Sequence, residues 1–313
     1  IPPLFEIHTA SEFSKLINEF SPDVVIFHSL YMIEYIYFSK YLSKRHIPYL
    51  VELHGAMSKE NYKKGKLKKY IANVICFNKF LRGAQSIIYL NDGEYFNSLV
   101  KDINPQSIII PNGCYLPSRV ERFDKTFPER IEILFLGRID IYHKALDILL
   151  EALEIVEKEG WADRIHFHFY GTGSKSDLVS FKSAINKFSQ FADFGGPVYG
   201  RDKEQVFQRS HIFILNSRFE GMPMGVLEAL SYGLPCIITP QTNMAKFIQG
   251  NNAGWVTKLD AKEIAGTIIK ACHQYRNDFI GYSQRAYDLA KQFSWQKVAI
   301  ESINSYTSVI DKE

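Results

Sequence analysis

Two glutamates, Glu220 and Glu228, stand eight residues apart in the segment FEGMPMGVLE, on either side of a flexible stretch at 221–225. An apolar helical pattern follows, and a helix should begin near 223–224, since proline suits the first helical turn. The free amides of 224–226 would then attract an anion such as phosphate. Carboxylates accept hydrogen bonds from sugar hydroxyls. The segment therefore predicts a site for a phosphorylated ligand rich in hydroxyls, although two carboxylates here are equally compatible with a role confined to the helix dipole.

A second set of polar residues follows another strand-like run. In the segment LFLGRIDIYHK, Arg138 comes directly after Gly137, and Lys144 lies six residues later. An arginine fork and a lysine point charge together suit a diphosphate, although such residues are also common in exposed loops. His54 and Gly55 end a third strand-like run, where a single histidine is more often packed or solvated than catalytic.

Strand-like and helix-like segments alternate in two blocks, which predicts two parallel α/β sheets. In such sheets ligands bind beyond the carboxyl ends of the strands, which is where the residues above occur. The polar segment 114–130 separates the blocks and is interpreted as a linker. Strands of the first block are predicted at 23–29, 48–55, 86–91 and 107–113, with a helix at 31–46. Strands of the second are predicted at 131–139, 164–173, 211–217, 235–240 and 253–258, with helices at 145–160 and 203–210 and two more at the end.

The composition limits the class of protein. A chain of 313 residues with 46% hydrophobic and 23% charged residues is long enough for two globular domains. The net charge of +3 is too small to indicate nucleic-acid binding. The four cysteines lie far apart, so neither a zinc motif nor a disulfide framework is indicated, and a reducing compartment is expected.

Five motifs, in this order along the chain, resemble those of the retaining glycosyltransferases of family 4, the group 1 sugar transferases with the GT-B fold. The similarity covers nearly the whole chain. It implies two Rossmann-like parallel-sheet domains facing a cleft. An acceptor-side domain would span 1–115, and the C-terminal helix 295–313 would pack back on it. Residues 116–294 would contain the linker followed by the nucleotide-sugar-binding domain. The motifs are His54-Gly55, Pro111-Asn112-Gly113, Gly137-Arg138 with Lys144, Glu220 to Glu228, and Phe293-Ser294-Trp295.

The resemblance implies a role for each matched residue. Arg138 and Lys144 would hold the donor diphosphate and offset the charge of the leaving group. Glu220 would bind hydroxyls of the transferred sugar near its C3, and His54 would reach the sugar near its C6 end. These four residues are the expected catalytic set, while Glu228 would bind the ribose. Further donor contacts are implied for Gly221, Met222, Pro223, Met224 and Gly225, and a contact with the nucleobase for Tyr199.

The implied activity is hexosyl transfer from a UDP- or GDP-linked sugar to a glycan or polyprenyl-linked acceptor, in the synthesis of cell-surface polysaccharide. No metal or other cofactor is expected, because Arg138 and Lys144 would do the work that magnesium does elsewhere. Retention in the family is usually explained by front-face attack in an ion-pair-like transition state. Two alternatives stay open: a nucleotide-sugar 2-epimerase of similar fold, and an inactive relative that binds a nucleotide or glycan.

Two features depart from the family pattern. Ala145 stands where glycine usually follows the lysine, a change that is tolerated if its φ is negative. The first block has fewer predicted strands than the family's N-terminal domain, so its first strand or strands and their glycine-rich loop are expected to be missing.

A basic segment at 58–70, SKENYKKGKLKKY, contains six lysines and one glutamate. Such clusters bind anionic lipid with about 1 kcal/mol per basic residue, and this part of the family's N-terminal domain often faces a membrane. The segment predicts reversible contact with an anionic membrane. The protein would then be cytoplasmic and bind the inner face of the plasma membrane. A solvated loop is the alternative. The lysines concerned are Lys59, Lys63, Lys64, Lys66, Lys68 and Lys69.

Overall fold

The computed structural model of the protein describes residues 9–59, 62, 65–118, 120 and 129–310. The chain forms two compact units. The first contains the residues up to Pro111 and those from Ala299 onward, and the second runs from Asn112 to Val298. The units divide after 111 and 298, compared with 115 and 294 in the sequence interpretation. Most of the proposed linker lies outside the described residues.

The first unit contains a parallel sheet of four strands in the order β1-β2-β3-β4. The two central strands are buried along their whole length, so their sequences are apolar on both faces. The strands are β1 (Val25–His28), β2 (Tyr49–Glu52), β3 (Ser86–Tyr89) and β4 (Ser107–Ile109). The helices are α1 (Ala10–Phe20), α2 (Glu34–Lys44), α3 (Lys66–Ala72), α4 (Asn78–Arg82) and α5 (Asp92–Asn97), with a π-helical turn at Asn73–Phe77 and a 3-10 turn at Val100–Asp102.

Helix α1 closes one side of this unit. Thr9 and Glu12 form a capping box that satisfies free amides at the helix start. Phe13 on the apolar face of α1 stacks on Phe38 of α2, with ring centroids 4.2 Å apart. Burial of these rings and their neighbours on one side of the sheet supplies the apolar core of the unit.

The second unit contains a parallel sheet of six strands in the order β10-β9-β8-β5-β6-β7. Its strands are β5 (Ile131–Leu136), β6 (Ile165–Tyr170), β7 (Ala192–Gly196), β8 (Ile212–Leu215), β9 (Cys236–Ile238) and β10 (Gly254–Val256). Its helices are α6 (Leu146–Lys158), α7 (Lys175–Ile185), α8 (Gly200–Arg209), α9 (Met224–Ser231), α10 (Ala245–Gly250), α11 (Ala261–Asn277) and α12 (Phe279–Gln292), with 3-10 turns at Asn186–Phe188 and Pro240–Thr242. The last helix, α13 (Trp295–Ile310), begins in this unit.

The strand order of the second sheet identifies where its winding reverses. The chain passes from β5 outward to β6 and β7, returns to β8 on the other side of β5, and continues outward to β9 and β10. The carboxyl ends of β5 and β8 therefore flank a topological switch point, the usual place for a ligand in an open parallel sheet. The prediction of two parallel-sheet α/β domains is confirmed.

The loop after β5 is held by the end of β6. The amide of Gly137 donates to the carbonyl of Tyr170 at 3.1 Å, and the amide of Ile139 donates to that of Thr172 at 2.7 Å. A Cβ on Gly171 would collide with the backbone of Gly137, so only glycine permits this approach. The backbone around Arg138 is thus fixed by neighbouring main chain.

Ala145 precedes α6 in a left-handed conformation, with φ 49° and ψ 41°. The condition under which alanine would be tolerated without strain, a negative φ, is therefore not met. The residue is fully buried, and its carbonyl accepts a hydrogen bond from Nδ2 of Asn216 at 2.9 Å. This contact holds the turn in place, although the conformation costs an L-residue roughly 1–2 kcal/mol.

We expect Ala145→Val to lower the free energy of unfolding by about 1–3 kcal/mol, because the site is closely packed and a branched side chain fits the left-handed region poorly. Ala145→Gly should change it by less than about 1 kcal/mol, since relief of strain offsets the loss of a buried methyl of about 0.8 kcal/mol. Urea unfolding midpoints at unchanged m-value measure both effects. Equal stability of the two variants would contradict the observed φ.

Candidate active site

Two loops meet at the switch point between β5 and β8. The loop after β5 carries Lys144, and the loop after β8 carries Ser217 and Glu220. Nζ of Lys144 lies 2.5 Å from Oε1 of Glu220, and Oγ of Ser217 donates to the same oxygen at 2.6 Å. The side chains of Lys144 and Glu220 are only 12% and 11% exposed. The structure thus joins two of the predicted site residues in a largely buried ion pair.

His143 connects Arg138 to this pair. Nδ1 of His143 lies 2.8 Å from Nη2 of Arg138, and its Nε2 lies 2.7 Å from the carbonyl oxygen of Phe219. A guanidinium only donates and a carbonyl only accepts, so the ring carries its proton on Nε2 and is neutral. Burial lowers the pKa of His143; Glu220 opposes this effect, and the cations of Lys144 and Arg138 reinforce it. The positive charge of the loop therefore comes from Arg138 and Lys144.

Arg218 fastens the two loops to each other. It donates to the two carboxylate oxygens of Asp147 at 2.9 and 2.7 Å and to the carbonyl oxygen of Tyr142 at 2.6 Å. Its backbone amide donates to the carbonyl of His143 at 2.9 Å. Burial opposes ionisation of Asp147, but the hydrogen bonds and charge of Arg218 outweigh burial and lower the pKa of this carboxyl. Arg218 therefore positions the turn that presents Lys144.

The backbone at Glu220 is fixed from a third loop, which follows β9. Nδ2 of Asn243 donates to the carbonyl oxygens of Glu220 and Gly221 at 2.7 and 3.1 Å. The amide of Glu220 donates to the carbonyl of Gln241 at 3.0 Å. The loop after β9 thus holds the backbone of Glu220, while Lys144 from the loop after β5 and Ser217 hold its carboxylate.

Helix α9 begins where the sequence predicts, at Met224 after Pro223. The amide of Val226 donates to the carbonyl of Pro223 at 3.1 Å. The prediction of a free amide at Val226 is therefore wrong, because the first turn of the helix already uses it. The amides of Met224 and Gly225 have no acceptor among the described residues.

The first turn of α9 lies against the carboxyl end of β5. A Cβ on Gly225 would approach the carbonyl oxygen of Leu136 to 3.1 Å and the ring of Phe213 to 3.2 Å, so a larger residue would push the helix away. Met222 is buried, and its carbonyl accepts a hydrogen bond from Nδ2 of Asn112 at 3.1 Å. Glycine at 225 thus brings the helix start next to the switch point.

Glu228 belongs to a second ion pair in the same unit. Its Oε1 lies 2.6 Å from Nζ of Lys203, and each side chain is 29% exposed. Lys203 lies on α8, whose N-cap residue is Tyr199, with a side chain 72% exposed. The structure therefore links Glu228 to the segment that carries Tyr199.

His54 lies in the first unit, in a turn after β2. His54 and Gly55 are left-handed, with φ of 47° and 76°. The buried carboxylate of Glu94 accepts the amides of Gly55 and Leu90 at 2.5 and 2.7 Å. Burial raises the pKa of Glu94, although these hydrogen bonds oppose the shift. A non-glycine residue held at such a φ is typical of functional sites.

A second histidine and a carboxylate surround His54. Nδ1 of His28 lies 3.1 Å from Nε2 of His54 and 3.0 Å from Oε2 of Glu52. The hydrogen bond that His28 donates to Glu52 is the main reason that the pKa of His28 is raised, against the effect of burial. Tyr306 of α13 also lies near Glu52; burial, followed by this carboxylate, raises its pKa. His28 therefore holds its proton more readily than an ordinary histidine does.

Two groups of side chains in the described part of the chain are spaced so that they could hold a metal ion. One is His28, Glu52 and His54, and the other is His166, His168 and Asp193 in the second unit. Neither group was predicted from the sequence.

The sequence of the second unit is similar to that of known glycosyltransferases. Residues 130–274 match the family described as glycosyl transferases group 1. The lipopolysaccharide 1,6-galactosyltransferase of Escherichia coli K12 is 27% identical over 271 residues, which cover 82% of this chain and 69% of that protein. The amylovoran biosynthesis glycosyltransferase AmsD of Erwinia amylovora is 27% identical over 205 residues, 63% of this chain and 55% of that protein. The chain is a glycosyltransferase, and its residues 130–274 are of the group 1 type.

Solved structures agree on the fold of this glycosyltransferase. The Anabaena protein HepE, solved in complex with UDP and glucose, superposes with a TM-score of 0.71 over 96% of this chain and 82% of that one, at 15% identity. The fold is of the GT-B type. None of the helices in the described residues combines the length and hydrophobicity that a membrane span needs.

Sequence reasoning missed several residues of the glycosyltransferase that surround the predicted ones. His143 immediately precedes Lys144, and Ser217 and Arg218 lie between the end of β8 and Glu220. Their position in loops at the carboxyl ends of strands could have identified them as candidate site residues. Lys203 and Glu94 had none, because their partners are distant in sequence.

Proposed function

We propose that this glycosyltransferase moves a sugar, with retention of anomeric configuration, from a UDP- or GDP-linked donor to a glycan or lipid-linked acceptor. The observation that carries the proposal is the meeting of Arg138, Lys144 and Glu220 at the switch point of the second sheet. A diphosphate needs cations, and the hydroxyls of a sugar need a fixed carboxylate. The relatives named for lipopolysaccharide and amylovoran synthesis support a role in cell-surface polysaccharide.

The donor would rearrange the ion pair that the structure contains. The phosphate next to the sugar would take the place of Glu220 as the partner of Lys144. Arg138, whose side chain is 60% exposed, would bind the second phosphate. Glu220, still held by Ser217 and Asn243, would then accept hydrogen bonds from the sugar.

In the reaction, the bond between the anomeric carbon and the phosphate oxygen breaks, and its electron pair goes to that oxygen. Lys144 and Arg138 stabilise the charge that develops there, an effect that grows towards the transition state. The acceptor hydroxyl attacks from the same face and passes its proton to the departing phosphate. Because the two cations carry this charge, the proposed chemistry needs no metal at the donor site.

The nucleoside end of the donor would occupy the α8 and α9 side of the site. Ribose hydroxyls would replace Lys203 as partners of Glu228, and the exposed ring of Tyr199 would stack on the base. The amides of Met224 and Gly225 would face the phosphate, with Gly221, Met222 and Pro223 shaping the entry. The family resemblance gives His54 a part in binding the sugar, and its strained turn, fastened by Glu94, supports a functional role for this residue.

Incubation with a panel of UDP- and GDP-linked sugars and a membrane-lipid extract, followed by mass spectrometry, tests the proposed function. Transfer should release nucleoside diphosphate and add the mass of one hexose to a lipid or glycan. An isomerised nucleotide sugar without free diphosphate would instead indicate an epimerase. Binding without any product would indicate the inactive relative.

We also propose that the glycosyltransferase binds anionic membrane through α3 and the π-helical turn that follows. Five apolar side chains recur there at three- and four-residue spacing and are 48–74% exposed. Three lysines of α3, Lys66, Lys68 and Lys69, lie on the same segment, while Lys63 and Lys64 lie outside the described residues. Apolar contact combined with basic residues is typical of helices that lie in a membrane interface. The apolar residues are Leu67, Tyr70, Ile71, Val74 and Ile75.

Changing four lysines of this segment to glutamine (Lys63, Lys64, Lys68 and Lys69) should abolish sedimentation with phosphatidylglycerol liposomes at low salt, since each contributes about 1 kcal/mol near the surface. Wild-type binding should fall steeply with salt, because screening acts within about 8 Å at physiological ionic strength. A matched control changes four exposed lysines of the second unit and should sediment normally. Wild type that stays in the supernatant at low salt would refute the membrane contact. The control lysines are Lys158, Lys175, Lys187 and Lys262.

A further inference from the structure

Three neighbouring strands of the second sheet place four ionisable side chains on one face, near the amino ends of β5 and β6. His166 and His168 are two residues apart on β6, so their side chains point the same way. Asp193 on β7 lies directly beside His168, and Glu132 on β5 lies directly beside His166. Glu132 lies at the amino end of β5, whereas Arg138 lies in the loop at its carboxyl end, six residues later. This group is therefore separate from the proposed donor site.

The two imidazoles converge on a single carboxylate oxygen. Oδ2 of Asp193 lies 2.7 Å from Nε2 of His166 and 2.8 Å from Nδ1 of His168. The three atoms lie within 4.8 Å of one another, and they come from rigid strands rather than from loops. Strands set such a group in place before a ligand arrives, which lowers the cost of binding.

Glu132 supplies the outer contact that histidine ligands of metals usually have. Its Oε2 lies 2.8 Å from Nε2 of His168, the ring nitrogen that faces away from Asp193. This carboxylate keeps a proton on Nε2. Nδ1 donates to Asp193 in the metal-free protein, so a bound ion takes the place of its proton, which is released to solvent. Glu132 is itself held, since its Oε1 lies 3.4 Å from Nε of Arg130.

His166 is less constrained. Its Nδ1 is buried and has no hydrogen-bond partner in the described part of the chain. Because a carboxylate only accepts, Nε2 donates to Asp193 and carries the proton in the metal-free protein. Binding of an ion at Nε2 moves this proton to Nδ1, where no hydrogen bond to a described residue has to be broken. The side chain of Asp193 is 46% exposed, compared with 13% for His166 and 15% for His168. Asp193 thus gives an ion access from solvent.

We propose that His166, His168 and Asp193 form a binding site for a divalent transition-metal ion, with zinc the best match. Two imidazoles and one carboxylate suit zinc, cobalt or nickel, whereas magnesium and calcium prefer oxygen ligands alone. Binding replaces the two hydrogen bonds of Asp193, and the three ligand atoms move apart until each lies about 2.0–2.2 Å from the ion. Water completes the coordination.

The ion would tie an edge strand to the sheet. β7 is the outer neighbour of β6, and their register shifts between Phe169 and Tyr170, just beyond the site. A bond from β6 to β7 at this point compensates for the irregular pairing. The site is structural, and it does not depend on the identity of the donor or acceptor of the glycosyltransferase.

Titration of metal-free protein with Co²⁺ and then Zn²⁺, followed by calorimetry and visible absorption, tests the proposal. The group His28, Glu52 and His54 is a second possible site, so the titration uses the Glu52→Gln chain as background. We expect one equivalent of Co²⁺ with visible d–d bands, displaced by Zn²⁺. Absence of any bound equivalent would overturn the proposal.

Four further variants assign the ligands. Asp193→Asn and His166→Gln should each abolish the bound equivalent, and Glu132→Gln should weaken binding by about 10–100-fold. His273→Gln removes a histidine that packs on Trp161 elsewhere in the unit and should leave binding unchanged. Unchanged affinity in Asp193→Asn would overturn the proposal.

Two measurements on the wild-type protein test the site even if a variant fails to fold. Zinc should raise the melting temperature progressively as its free concentration increases, because it binds the native state. It should also move the NMR signals of two imidazoles in the second unit. Unmoved signals of His166 and His168 at saturating zinc would contradict the site.

Discussion

Replacing Lys144 by methionine should lower turnover by about 10²–10³-fold, the usual loss when one preorganised donor to a developing negative charge is removed. Methionine keeps the length and apolar stem of the side chain but cannot stabilise the departing phosphate. Steady-state kinetics with the donor identified by mass spectrometry measures the effect. The loss should appear in kcat more than in KM, because the interaction strengthens in the transition state.

The same substitution should also destabilise the fold. Lys144 and Glu220 are both largely buried, so Lys144→Met leaves an unpaired carboxylate, at a cost of about 3–5 kcal/mol. The double variant Lys144→Met with Glu220→Gln removes both charges and keeps an acceptor for Ser217. We expect it to regain most of the lost stability and none of the activity.

This pair of variants separates the two roles of Lys144. If the double variant regained activity together with stability, Lys144 would act only as a structural partner of Glu220. Lys258→Met is a matched control, because it breaks an exposed ion pair with Glu263 at 3.0 Å. It should change neither stability nor turnover measurably.

Replacing Arg138 by alanine should reduce kcat/KM by about ten- to a hundredfold, which corresponds to a charge-assisted hydrogen bond of about 1.5–3 kcal/mol. Arg138 differs from Lys144 in being 60% exposed, with Asp140 and the neutral ring of His143 as partners. Its loss should therefore change the free energy of unfolding by less than about 1 kcal/mol.

Arg138→Lys extends this test. Lysine retains the charge but not the planar fork that matches a phosphate, so we expect only partial recovery. Arg164→Ala removes an arginine that packs on Trp161 in the same unit and serves as the control. Activity of Arg138→Ala equal to that of this control would remove Arg138 from the donor site.

The strands that carry the site could be predicted from the sequence because their signals are local. The buried runs at 131–139 and 211–217 contain β5 and β8. Proline before an apolar helical pattern marked the start of α9. Since parallel strands present their carboxyl ends at one edge, the approach of Lys144 to Glu220 follows from topology once the strand order is known.

Some elements escaped prediction for physical reasons. β7 is an edge strand whose sequence, ADFGG, ends in two glycines and lacks a clear alternation. Helix α7 has a weak apolar stripe, although Ser174 caps it. Helix α1 was omitted although its capping box and apolar face were visible in the sequence.

Other contacts and details of the site could not be predicted from the sequence. The left-handed turn at Ala145 is imposed by burial and by Asn216, 71 residues away. The amide of Val226 is used by the helix itself, a detail of the first turn that residue types do not determine. The histidines of β6 meet Asp193 only because of the register of β6 with β7.

The most direct test of the central claim follows the anomeric carbon during transfer. A donor labelled with ¹³C at the anomeric position, chosen from the sugar nucleotides that give product, is incubated with wild-type protein and acceptor and observed by NMR. We predict that nucleoside diphosphate and glycosidic product appear together, that the product keeps the anomeric configuration of the donor, and that Lys144→Met with Glu220→Gln gives no signal. A product of opposite configuration, or equal product from the double variant, would contradict a retaining transfer at the Arg138, Lys144 and Glu220 site.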